Sequence, residues 1–185
     1  MGIALIIVII VLVAILIYAI AQYNSLVALR RQTGNAFAQI DVQLKRRYDL
    51  IPNLVETVKG YMKHEQDTLE RVIQARNRAL SAGTVNEKAA AEGQLTTALH
   101  GMFALSEAYP ELRSNENMLS LQEELKSTEN RISFARQYYN DMVTRYNTSL
   151  ETFPSSIFAN MGGMKPKELF EIEDPTHREN VRVSF

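Results

Sequence analysis

The sequence predicts an all-α protein: an N-terminal transmembrane helix, then an elongated antiparallel three-helix bundle with two long helices and one shorter helix, then an irregular C-terminal tail. Three observations predict it. Residues 3–21 form an apolar run without a single charge. Behind that run, apolar residues recur in alternating steps of three and four, which places them on one face of a helix. Strong breakers divide the pattern around Ser81–Gly83 and at Pro110.

The first element, residues 3–21, reads IALIIVIIVLVAILIYAIA. As a helix it spans about 28 Å at 1.5 Å per residue, close to a hydrocarbon core of about 30 Å. Tyr18 and Tyr23 stand near its C-terminal end, where amphipathic rings favour the membrane interface. A cleaved signal peptide is the competing reading. It fits poorly, because no basic region precedes the run and no small-residue cleavage motif closes it. Arg30, Arg31, Lys45, Arg46 and Arg47 follow the run, with Asp41 the one acid before Asp49. The positive-inside rule puts that flank in the cytoplasm and the short N-terminus outside.

The second element is a helix over about 22–80. Its stripe runs through Leu26, Leu29, Thr33, Phe37, Ile40, Leu44, Tyr48, Ile51, Val55, Val58 and Met62, then Leu69, Val72 and Arg76. No strong stop separates it from the anchor, so one helix is expected to run from the bilayer to residue 80. Pro52 removes a backbone donor and crowds the carbonyl of Tyr48, which predicts a bend at Tyr48–Pro52. Gly83 suits a left-handed C-terminal cap. Thr84-Val85-Asn86-Glu87 reads as a capping box that opens a shorter helix over about 84–108.

Ser114 or Asn115 caps the last long helix, about 115–153. Met118, Leu125, Ile132, Tyr139, Tyr146 and Phe153 occupy one heptad position; Leu121, Thr128, Ala135, Met142 and Ser149 occupy the other. Short connections between the helices imply antiparallel neighbours. The tail, 154–185, is broken by Gly162-Gly163, Pro166 and Pro175. Leu169-Phe170 and Val181–Phe185 are expected to dock on the bundle, the alternative being a frayed terminus.

Composition narrows the chemistry. With 20 Lys+Arg against 21 Asp+Glu, the net charge is −1, and nothing points to nucleic acid. There is no cysteine, which removes disulfides, thiolate catalysis and Cys-based metal sites. His64-Glu65 starts like a zinc-protease helix, but no histidine follows at the required spacing. His100 and His177 belong to other elements. No nucleophile elbow or phosphate-binding glycine loop is present. The carboxylate pairs Glu123/Glu124 and Glu171/Glu173 have no supporting constellation for acid–base work. No catalytic, cofactor-binding or metal-binding residue is therefore expected, and no cofactor.

Three clusters remain. Lys45-Arg46-Arg47 resembles a phosphate or lipid-headgroup site, but it reads better as a solvated face ion-paired to Asp41 and Asp49. Glu129, Arg131, Arg136, Asn140 and Asn147 lie on or beside the last helix's stripe. They read equally well as a buried polar network or as solvent-facing residues. Tyr138, Tyr139, Tyr146 and Phe153, at helical spacing, read as core rather than as a ligand groove.

The sequence resembles the LemA family of bacterial membrane proteins. The resemblance rests on blocks in order along nearly the whole chain: Tyr23-Asn24-Ser25-Leu26-Val27, Gln39 through Arg47, Asp49 through Val55, Lys59-Gly60-Tyr61, Tyr109-Pro110-Glu111-Leu112, Leu121 through Leu125, Thr128 through Ile132, Tyr139-Asn140, Tyr146-Asn147 and Phe153-Pro154. Phe37 stands where the family usually has Trp, and Tyr48 where it often has His. The resemblance implies an anchored helical bundle with a short exterior N-terminus and no catalytic residues. Some relatives occur with a membrane zinc protease, and a magnetosome protein belongs to the same family.

The expected partners are accordingly the lipid bilayer, through residues 3–21, and further copies of the chain. The expected role is a non-enzymatic scaffold at the bacterial cell membrane. The alternative is an adaptor or regulatory partner of a membrane protease or envelope-stress system.

Overall fold

A computed structural model describes residues 2–62 and 64–171. All regular structure among them is helical: α1 (Gly2–Lys59), α2 (Gln66–Ser81), α3 (Val85–Ser106), α4 (Pro110–Arg113), α5 (Glu116–Glu151) and α6 (Ser155–Met161). The expectations for Glu173, His177 and Val181–Phe185 lie outside the described residues.

The apolar run and the first bundle stripe form one uninterrupted helix. At 1.5 Å per residue, α1 is about 87 Å long. Its first part, residues 2–18, is exposed throughout. A helix this apolar with no protein against it is long and apolar enough to cross a membrane. Burial begins at Leu26 and then follows Thr33, Ala36, Ile40, Leu44, Tyr48, Ile51, Leu54, Val55 and Val58.

The helix expected over 22–80 is divided. It ends at Lys59, and α2 starts at Gln66. Gly60, a weak helix former, follows the last turn. Tyr61 and Met62 then both donate to the Val58 carbonyl, at 3.0 and 2.9 Å. The chain folds back, and Arg76 Nε donates to the Tyr48 carbonyl at 2.7 Å across 28 residues of sequence. In one straight helix these residues would stand about 42 Å apart. The same bond answers the question raised by Pro52. The carbonyl that Pro52 strands is that of Tyr48, and Arg76 takes it, so helical structure continues on both sides of the proline. Turning back also buries Leu69, Val72, Ala75 and Ala79.

The turn into α3 is built by side chains. Thr84 Oγ1 accepts from the Glu87 amide, and Glu87 accepts from the Thr84 amide, as the capping box requires. Gly83 departs from expectation. The chain leaves α2 in an extended conformation at Ala82, and the Gly83 amide donates to Glu87 Oε2 at 3.0 Å. The left-handed glycine cap is not formed; the Ala82 amide donates to the Arg78 carbonyl, and Glu87 accepts the Gly83 amide instead. The helix expected over 84–108 ends at Ser106, before the single turn α4 that starts at Pro110. Asn115 caps α5, its side chain accepting from the Met118 amide.

The most extensive interface joins α1 to α5, and the next joins α2 to α3. Contacts along the first pair run Arg46–Glu124, Arg47–Glu129 and Phe37–Tyr139, and just beyond the facing helix ends Asn115 donates to the Tyr61 hydroxyl. Met118, Leu125, Ile132, Tyr139 and Tyr146 are buried as the heptads predict. Phe153 is not. It is 78% exposed, because α5 ends at Glu151 and the heptad phase stops with it.

Candidate functional site

Where α1, α3 and α5 meet, the apolar core contains a set of polar side chains. Arg47 lies three residues after Leu44 and four before Ile51, so the helix delivers it to the buried face of α1. It is 5% exposed. Its Nη1 lies 3.1 Å from Glu92 Oε2 of α3 and 2.8 Å from Glu129 Oε2 of α5. Its Nη2 donates to Thr96 Oγ1 at 2.9 Å. Tyr48 donates its phenolic proton to the other carboxylate oxygen of Glu92. One guanidinium therefore ties three helices together, and Glu92, 1% exposed, accepts from both Arg47 and Tyr48.

The electrostatics follow from burial. Desolvation raises the Glu92 pKa, opposed by the Arg47 charge and the Tyr48 hydrogen bond. The Tyr48 phenol is pushed up too, first by burial and then by the neighbouring Glu92 carboxylate. Removal of either proton acceptor or cation would leave charge in a low-dielectric setting, where it is costly.

A second junction lies closer to the anchor. Phe37 of α1 packs against Tyr139 of α5, ring centroids 5.5 Å apart, and Lys88 of α3 sits 5.3 Å from the Phe37 ring centroid while pairing with Asp41. Beside it, α5 holds the tail. Asn140 accepts from the Phe170 amide at 2.8 Å and donates to its carbonyl at 3.2 Å. Asn147 does the same for Lys167, at 2.9 and 2.8 Å. Tyr139 donates to the Glu168 carbonyl at 2.8 Å. Phe170 is fully buried, with the Arg136 guanidinium 5.4 Å from its ring centroid.

These arrangements sort the sequence candidates. Lys45 pairs with Asp49 at 3.2 Å on the surface, as expected. Arg46 reaches Glu124 of α5 instead, and Arg47 is buried. Asp41 pairs with Lys88, not with its basic neighbours in α1. Glu129 joins the buried cluster, Asn140 and Asn147 bind backbone, and Arg131 borders a surface groove. Tyr139 and Tyr146 are core, whereas Tyr138 is exposed on the groove's edge. Among the described residues, no group of three His, Asp or Glu side chains is placed to hold a metal ion.

Glu92 was not anticipated. Its signal is a carboxylate on the apolar stripe of α3, three residues before Leu95 and seven before Leu99, both buried. A charge in that phase implies a buried partner.

The buried Arg47, Tyr48 and Glu92 thus join helices, and the described residues define an all-helical protein bearing one candidate membrane-spanning helix. The chain belongs to the LemA family, whose pattern matches residues 36–185. It is similar to Protein LemA of Metamycoplasma hominis, 25% identical over 136 residues, covering 72% of this chain and 62% of that relative's length. It thus spans less than two thirds of that protein. It is also similar to Magnetosome protein MamQ 2 of Paramagnetospirillum magneticum, 22% identical over 185 residues, covering 86% of this chain and 68% of the relative. Magnetosome protein MamQ of Magnetospirillum gryphiswaldense matches with the same identity and coverage. These likenesses and the apolar helix indicate membrane association.

Proposed function

We propose that this chain is a non-enzymatic, single-pass protein of the bacterial cell membrane, an elongated antiparallel bundle that acts as a scaffold by associating with further copies of itself. The observation that carries the reading is an uncovered apolar strip on the α1–α5 face. Val42, Phe134 and Tyr138 are large, exposed and adjacent around a shallow groove that also includes Ala38 and Ala135. Val42 stands about 32 Å along the helix from Ala21. A continuous helix gives every copy in the same membrane that strip at one height. Tethering raises the effective concentration of equivalent faces, so a modest contact suffices for lateral assembly. Phe134, 72% exposed beside small residues of the same face, suits a self-complementary contact.

Arg30 and Arg31 on the near flank favour a cytoplasmic bundle and an exterior N-terminus. Light scattering of the full chain in detergent, at rising concentration, tests the reading. Particles of more than one copy are expected, reverting to single copies with Phe134→Ser. A strictly monomeric wild-type particle would overturn it.

A further inference from the structure

The corner made by α6 and the end of α5 lies against the C-terminal end of the exposed apolar segment, where Gly162 closes α6. Gly162 is packed so closely on Tyr23 that an added Cβ would sit 3.1 Å from its ring carbon Cε2. Tyr23 is only two residues past Ala21, about 3 Å further along the helix. Gly163 has φ +59°, a conformation that favours glycine, and it turns the chain back toward α5. Whatever touches Tyr23 therefore stands at the height where the apolar run ends.

That corner displays apolar side chains to the outside. Ile157 and Met161 are four residues apart, so they share one face of α6. Ala159 lies on the opposite face and is buried at 1% exposure. Ile157 is 48% exposed, Met161 81%, and Phe153, just before α6, 78%. Unlike the exposed strip at Val42, Phe134 and Tyr138, this concentration lies beside the end of the anchor.

Basic residues follow it in the chain. Lys165 is exposed, and Lys167 is near enough to Arg30 that burial and then the Arg30 charge lower its pKa. Arg30 is about 14 Å beyond Ala21, within a long side chain's reach of the headgroup zone. These charges repel an identical corner on a second copy and attract lipid phosphate.

We propose that the α5–α6 corner is a second membrane contact, with Phe153, Ile157 and Met161 entering the bilayer interface and Arg30, Lys165 and Lys167 meeting the headgroups. The contact holds the bundle at a set height and limits its tilt. It rests on the reading that residues 3–21 span the membrane.

The chain has no cysteine, so single labels can be placed without background. The full chain, carrying a polarity-sensitive fluorophore at Ile157→Cys, Met161→Cys, Leu12→Cys or Leu119→Cys, is reconstituted into phosphatidylcholine–phosphatidylglycerol vesicles. Labels at 157, 161 and 12 are expected to shift to the blue and to lose intensity with lipids brominated near the headgroup or along the chain. The label at 119 should respond only to an aqueous quencher. If 12 is quenched by lipid while 157 and 161 behave like 119, the second contact is refuted and the anchor stands. Shielding of 157 and 161 from both quenchers means a protein covers them, which also refutes the proposal. If 12 itself ignores brominated lipid, the membrane-spanning reading fails and takes this inference with it.

Discussion

The bundle is fastened differently at two places along its length. At mid-height, Arg47, Glu92, Tyr48 and the half-exposed Glu129 join α1, α3 and α5, with the Arg47 and Glu92 charges removed from water. Nearer the anchor, Asn140 and Asn147 hold the tail through four neutral hydrogen bonds to its backbone. A buried ion network is intolerant of losing one member, because the partner left behind keeps its desolvation cost. Neutral clamps on a terminal segment fail locally, because little else depends on them. The mid-height cluster thus sets how the helices meet, and the clamps decide only whether the tail stays down.

Removing the shared cation should give the largest effect. Arg47→Met strands Glu92 in the core and is expected to cost about 3–5 kcal/mol in urea unfolding, the range for breaking a buried pair. Tyr48→Phe deletes only the phenolic donor. It should cost about 1–3 kcal/mol, since one buried carboxylate oxygen then lacks its hydrogen bond.

Glu92→Gln sharpens the contrast through pH. The folded pKa of Glu92 lies above its ordinary value, so the folded state holds this proton more tightly than the unfolded state. The Glu92 contribution is therefore fully present below the ordinary carboxylate value and is lost as pH rises through the shifted one. Glu87 has the opposite sign: amide hydrogen bonds lower its pKa, so its contribution fades as pH falls. Subtracting the stability profile of Glu92→Gln from that of the wild type isolates the first effect. The difference should slope downward with rising pH across the window above the ordinary value.

Asn147→Ala should act on the tail alone, costing about 1 kcal/mol of local protection per lost bond. Hydrogen exchange should quicken at the Lys167 amide and leave buried amides of α1 unchanged. The smallest effect belongs to the surface pair: Lys45→Ala should change stability by less than about 1 kcal/mol.

Legibility in the sequence followed the range of the interactions. The anchor, the capping box at Thr84–Glu87 and the heptads from Met118 to Tyr146 are local patterns and could be read directly. The break at Lys59 could not, because Met62, Leu69, Val72 and Arg76 keep the helical phase across it. Only the return contact from Arg76 to Tyr48 reveals the fold-back. Arg47 looked solvated for a similar reason: its carboxylate partners lie 45 residues away on α3 and further still on α5. Asn140 and Asn147 stood seven apart on one face in plain view, but the backbone they hold is irregular and carries no periodic signal.

Association through the α1–α5 face is tested most directly in native membranes. With Phe134→Cys as the only thiol in the full chain, a short bismaleimide should join two copies into one covalent dimer. Leu119→Cys, exposed on the same helix but outside the strip, should yield little of it. No self-crosslink at 134, or a single foreign protein as the dominant adduct, would contradict the account and favour an adaptor.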